Sequence, residues 1–180
     1  MPHNCIDLIS IFNQTFLESY NTELVRGTDE PIYLPADEAH PHHRIIFAHG
    51  YFASAMHEIA HWCIAGSERR LLEDYGYWYE PDGRTAEKQA EFEKVEIKPQ
   101  AVEWILSASC GFRFQVSCDN LSGSCEPDRI GFTRKVREQV LRYLEQGIPE
   151  RAKILSEALR EHYQIDSLRP ADFPEPVLAL

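Results

Sequence analysis

Residues 44–66 read RIIFAHGYFASAMHEIAHWCIAG, and the fold turns on this stretch. Its first part, RIIFA at 44–48, is a short apolar run rich in β-branched and aromatic residues, the pattern of a buried strand. His49 and Gly50 then lead into residues 51–65, where Phe52, Met56, Ile59, Ala60, Cys63 and Ile64 recur at helical spacing until Gly66 stops the run. Inside that helix lies His57-Glu58-Ile59-Ala60-His61, an HExxH pattern. Histidines four residues apart project from one helical face, so both imidazoles can reach a single metal ion. Glu58 stands about a hundred degrees round the helix from His57, which places it beside a metal's open side rather than in its ligand set. Two imidazoles on so apolar a helix need partners, and a metal site provides them.

Working outward, Asn4 caps a predicted helix to about residue 20, with Ile6, Ile9, Phe12, Phe16 and Leu17 on its buried face. Short strand-like runs follow at 22–26 and 32–34, punctuated by Gly27, Pro31, Pro35 and Pro41. Beyond the metal helix, residues 67–74 predict a charged helical stretch. YGYWYEPDGR at 75–84 predicts an aromatic core strand closed by a turn at Pro81, Asp82 and Gly83. Thr85 caps a long helix through residue 108, in which Pro99 predicts a kink or a restart. Amphipathic helices at 128–145 and 149–162 flank Gly147, and the Pro-rich end reads as a docked tail. With no repeat or linker in view, the expectation is one α+β domain over residues 1–180: a small mixed sheet packed against helices, with a metalloprotease-like HExxH helix.

Composition narrows the function. The 180 residues, 43% of them hydrophobic, suffice for one substantial core. A formal charge of -11, from 29 acidic against 18 basic residues, argues against gripping nucleic acid and favours a cationic partner. Five Cys without a CxxC pair suggest reduced thiols in a cytoplasm. No secretory leader and no run of membrane-spanning length is visible, so the expectation is a cytoplasmic monomer without membrane contact.

Two imidazoles leave a metal site incomplete. Glu91, Glu93, Glu96 and Glu103 in the 85–108 helix compete for the third place. Glu96, Gln100 and Glu103 share one stripe beside the apolar positions Ala90, Val95, Ile97, Ala101, Val102 and Ile105, which favours Glu96 with Gln100 hydrogen-bonded to it. Two His and a carboxylate suit two chemistries. Zinc would serve peptide hydrolysis, with Glu58 as the base; Fe(II) would serve dioxygen chemistry.

Several separated blocks make the chain recognisable: DEPIYLPAD at 29–37, the 44–66 stretch, GYWYEPDGR at 76–84, FEKVEIKPQAVEW at 92–104, VSCDNL at 116–121 and GIPERA at 147–152. Together they resemble the bacterial elongation factor P hydroxylase family. The resemblance implies a cytosolic non-haem iron enzyme that uses dioxygen to hydroxylate a β-lysylated lysine of elongation factor P. It also implies a 2-His-1-carboxylate centre, carried here onto His57, His61 and Glu96, with Fe(II) as the metal and Zn as a possible occupant after purification. A cationic target suits an acidic enzyme. None of the eight His begins an HxD or HxE pattern, which sets the chain apart from the 2-oxoglutarate-dependent jelly-roll hydroxylases.

Other residues carry weaker signals. His49 is placed as a second catalytic candidate beside Glu58, because Gly50 lets that turn approach the metal. His40, His42 and His43 read as a solvated loop, and Cys110, Cys118 and Cys125 as free buried thiols. Asp119 and Asn120 either meet the cationic substrate or hold their own loop. Tyr77, Trp78 and Tyr79 read as core aromatics, and Arg134, Lys135 and Arg137 as a solvated face.

Overall fold

The computed structural model describes residues 2–78, 81–123 and 126–177. Helix α1 (Cys5–Tyr20) begins where the Asn4 side chain accepts from the Asp7 amide at 2.8 Å, and it ends at Asn21 in a left-handed conformation. Its buried stripe is Leu8, Ile11, Phe12 and Phe16; Ile6, expected on that face, is 77% exposed. Strands β1 (Thr22–Arg26), β2 (Ile32–Leu34) and β3 (His43–Phe47) form a sheet in the order β1-β3-β2. β3 pairs in parallel with β1 and antiparallel with β2, so the sheet is mixed. Alternation sends Leu24, Tyr33, Ile45 and Phe47 inward.

His49 and Gly50, both left-handed, turn the chain from β3 into helix α2 (Phe52–Ile64). The expected charged helix at 67–74 is instead two short 3-10 turns, Arg69–Leu71 and Glu73–Gly76. The expected aromatic strand is also absent among the described residues. Asp74, Tyr75 and Gly76 are consecutively left-handed, which no strand can accommodate, and Tyr77 and Trp78 emerge exposed. Tyr79 lies outside the described residues.

Helix α3 (Ala86–Ser109) runs as one element through Pro99, without the expected restart. The missing amide hydrogen bond is outweighed by packing against α2, α4 (Arg129–Gln146) and α5 (Glu150–Tyr163). The apolar residues divide into two clusters. One lies between the sheet, α1, α2 and α5; the other joins Trp104 and Ile105 of α3 to Phe132, Val136 and Val140 of α4. The C-terminal segment docks on the second cluster through fully buried Phe173, whose carbonyl accepts from Arg137 Nε at 2.7 Å. Arg137 therefore leaves the solvated face expected for it, whereas Arg134 and Lys135 stay exposed. Cys110 and Cys118 are buried free thiols, and Cys125 falls outside the described residues. Among the described residues, no helix is long and apolar enough to cross a membrane.

Candidate metal centre

Helix α2 is fixed before any ligand binds. Trp62, fully buried, packs edge-on against Phe12, Phe16 and Tyr20 at centroid separations of 5.3, 4.8 and 5.6 Å. Arg151 of α5 lays its guanidinium 4.6 Å from the Trp62 ring centroid and donates to the carbonyls of Trp62 and Ala65 at 2.6 Å each. Carbonyls at a helix end lack partners within the helix, so Arg151 closes the end of α2.

Helix α3 packs along α2 and turns Glu96, Gln100 and Glu103 into the interior. His61 Nε2 lies 3.0 Å from Glu96 Oε1, His57 Nε2 lies 3.8 Å from Glu96 Oε2, and the two Nε2 atoms are 3.2 Å apart. One ligand atom from each of the three residues lies within 4.8 Å of the others. Two imidazole nitrogens and a carboxylate oxygen facing one point leave room there only for a cation, a proton or a metal ion. The donor set suits Fe(II) and Zn alike.

The supports behind these three residues are equally specific. Gln100, fully buried, donates to Glu96 Oε2 at 3.0 Å and to the Ser117 carbonyl at 2.7 Å, while its own oxygen accepts from the Ser117 amide at 2.9 Å. Glu96 is thus held from behind by a side chain anchored in the next loop. Glu103 Oε2 accepts a hydrogen bond from His57 Nδ1 at 2.8 Å, which fixes the ring with Nε2 toward Glu96. Of the carboxylates that competed for the third place, Glu103 therefore stands on the far nitrogen of His57. Glu91 is exposed, and neither Glu91 nor Glu93 joins the cluster.

The electrostatics follow from this geometry. Burial opposes a charged His57, but Glu103, hydrogen-bonded to it, together with Glu96 and Glu58, outweighs that and pushes its pKa up to about 10. Burial likewise opposes a charged Glu96, yet His61, His57 and the Gln100 amide hold it down at about 2. At Glu58 burial prevails: its carboxyl is raised, with Asp74 and Glu96 adding to the rise and His57 and His61 opposing it.

A hollow of about 260 Å³ opens onto His57 and Glu96, walled by Pro81, Arg84, Phe92, Ser117 and Asp119. Two larger hollows, of about 350 and 410 Å³, lie elsewhere and contain none of the three cluster residues. Proximity to the cluster, not size, selects the smaller one. Asn120 is not part of this wall. It is buried and exchanges hydrogen bonds with the Arg84 backbone, so it holds the loop, while exposed Asp119 pairs with Arg129. His49 stands outside the cluster, exposed on its turn with its ring 5.6 Å from that of Tyr51. His40 and His42 sit in the loop before β3, bonded to Asp37 and Asn21, whereas His43, expected in the same solvated loop, opens β3 half-buried and accepts from the Ala36 amide.

Three contributors escape the sequence reading. Arg151 carries no signal, since a basic residue in the first turn of an amphipathic helix reads as solvated. Buried Arg84 bonds to Gln89 and to the carbonyls of Pro81 and Asp119, tying one wall together across distant segments. The role of Glu103 was hinted at by its stripe with Glu96, but which imidazole nitrogen it meets is a matter of helix packing.

Comparison with known proteins agrees with the blocks quoted above. The sequence profile of the family described as "Elongation factor P hydroxylase" matches residues 11–173. The "Elongation factor P lysine hydroxylase" of Haemophilus influenzae is 56% identical over 166 residues, covering 92% of this chain and 93% of that protein.

Proposed function

The chain belongs to the elongation factor P hydroxylase family, and from that premise we propose that it hydroxylates the modified lysine of elongation factor P at an iron centre held by His57, His61 and Glu96. The observation that carries the reading is the convergence of these three side chains on one point. An Fe(II) ion bound there would supply the activation of dioxygen, since a 2-His-1-carboxylate set leaves positions open. The chain's own residues do the rest. Glu103 and Gln100 keep His57 and Glu96 in register, so loading requires little rearrangement. Glu58, beside the ligands and with its carboxyl raised, holds or passes a proton close to the reacting atoms. The hollow between Pro81, Arg84, Phe92 and Asp119 receives the lysyl arm. The charge of -11 draws in a cationic target.

Mass spectrometry of β-lysylated elongation factor P, incubated with the purified protein, Fe(II), dioxygen and a reductant, tests the proposal. A gain of one oxygen atom is expected, lost in His57→Ala and Glu96→Gln. Unchanged mass with native protein refutes it. Cleavage of peptides by the zinc-loaded protein, abolished by Glu58→Gln, would point instead to a hydrolase.

A further inference from the structure

Residues 116–120 alternate along the chain: Val116, Cys118 and Asn120 are buried, while Ser117 and Asp119 point outward and wall the hollow beside His57 and Glu96. The segment lies outside the sheet, so its backbone needs partners from elsewhere. Side chains provide them. The carbonyls of Val116, Ser117, Cys118 and Asp119 accept in turn from Arg129 Nη1 at 2.7 Å, Gln100 Nε2 at 2.7 Å, Gln89 Nε2 at 3.0 Å and Arg84 Nη2 at 2.7 Å. Four successive carbonyls are thus fixed, and one of the donors, Gln100, also holds Glu96. The outward side chains therefore keep a set place relative to the metal cluster.

Of the two carboxylates that line this hollow among the described residues, Glu96 belongs to the cluster and Asp119 does not. Asp119 Oδ1 pairs with Arg129, and among the described residues no hydrogen bond reaches Oδ2. The two side chains of that pair are 63% and 48% exposed, so the pair is weak and leaves the carboxylate able to take a second cation. The cation in the wall, Arg84, is 2% exposed and directs donors to Gln89 and to the carbonyls of Pro81 and Asp119. Asp119 also borders the 410 Å³ hollow, which places its carboxylate where a long arm passing the cluster would continue.

We propose that Asp119 is a specificity-determining residue, its carboxylate receiving an ammonium group of the β-lysyl extension while the lysine that bears the extension lies over His57 and Glu96. The inference rests on the reading that β-lysylated elongation factor P is the substrate. A β-lysyl group attached through its carboxyl keeps both amines, so the extension arrives doubly cationic. Asp119 then tells an extended arm from an unextended one.

Calorimetric titration under anaerobic conditions, where no turnover intervenes, compares β-lysylated with unmodified elongation factor P. Native protein should bind the β-lysylated form roughly three- to fivefold more tightly, the scale of a solvent-exposed ion pair. Asp119→Asn should bind the two forms alike and raise KM for the β-lysylated form by the same factor, with kcat and Tm native. Arg129→Gln removes the ion pair but not the carboxylate, and should keep the preference. Glu161→Gln, at an exposed position of α5 outside the hollow, changes the net charge equally and should behave as native. No preference in the native protein, a preference retained in Asp119→Asn, or equal losses in Asp119→Asn and Arg129→Gln overturns the inference. So does an equal loss in Glu161→Gln, which would assign the effect to overall charge. No gain of oxygen by native protein, with the preference intact, overturns the hydroxylation reading and leaves Asp119 in its role, so the two failures are told apart.

Discussion

Glu103→Gln isolates what a buried carboxylate does for His57, the proposed metal ligand it leaves in place. In the native chain Glu103, 8% exposed, accepts from His57 Nδ1 at 2.8 Å. Glutamine keeps the shape and an accepting oxygen but loses the charge, so the ring stays oriented while its electron donation weakens. A hydrogen bond to a charged partner contributes about 1.5–3 kcal/mol and a neutral one about 0.5–1.5 kcal/mol. The difference, about 1–1.5 kcal/mol, corresponds to roughly a 5- to 10-fold weaker metal affinity. Glu103→Ala removes the contact and frees the ring, so its loss should approach the upper end of the roughly 10- to 100-fold range for such supports. Competition against a chromophoric chelator, with Fe(II) under anaerobic conditions and with Zn in air, measures both variants. Glu93→Gln, on the same helix but outside the cluster, is the control and should bind as native. Native affinity in Glu103→Gln, or equal losses in the glutamine and alanine variants, would refute the idea that charge on the far side of His57 tunes the site.

Two further predictions concern the scaffold and the site's charge. Arg151→Met leaves the buried Trp62 carbonyl without its donor and ends the guanidinium stack, at a cost of about 3 kcal/mol. Thermal unfolding should show a Tm lower by roughly 6–12 °C for a chain of this size; a shift under 2 °C, about what half a kcal/mol gives, would refute the end-closing role. In the metal-free protein, His57 has its pKa raised from 6.5 to about 10. The protonated ring therefore stabilises the fold fully below pH 6.5, and that contribution is lost as the pH climbs toward 10. Denaturant unfolding of chelator-treated protein should show stability declining over that window, with a shallower decline in His57→Gln; identical slopes would refute the assignment.

What the sequence alone determined about this protein is what local geometry can carry. His57 and His61 face one point because four residues make about one helical turn, whatever the helix packs against. Asn4 and Thr85 cap their helices through contacts three residues away, and both are in place. The short strands at 22–26 and 32–34 also stand where their composition put them. Residues 67–78 depart from both helical and strand spacing because the Tyr33 amide on Asp74 and the Arg69 side chain on the Tyr75 carbonyl hold a left-handed turn that neither spacing encodes. Along α3, periodicity placed Glu96, Gln100 and Glu103 on one stripe but could not rank the two carboxylates. The packing of α3 on α2 decided that, bringing Glu96 to the Nε2 side of the imidazoles and Glu103 to Nδ1 of His57. Arg151 became visible only in the tertiary structure, because it acts on a helix distant in sequence. Local spacing sets which groups point the same way, and the rotation of one packed helix against another sets which atom of each they meet.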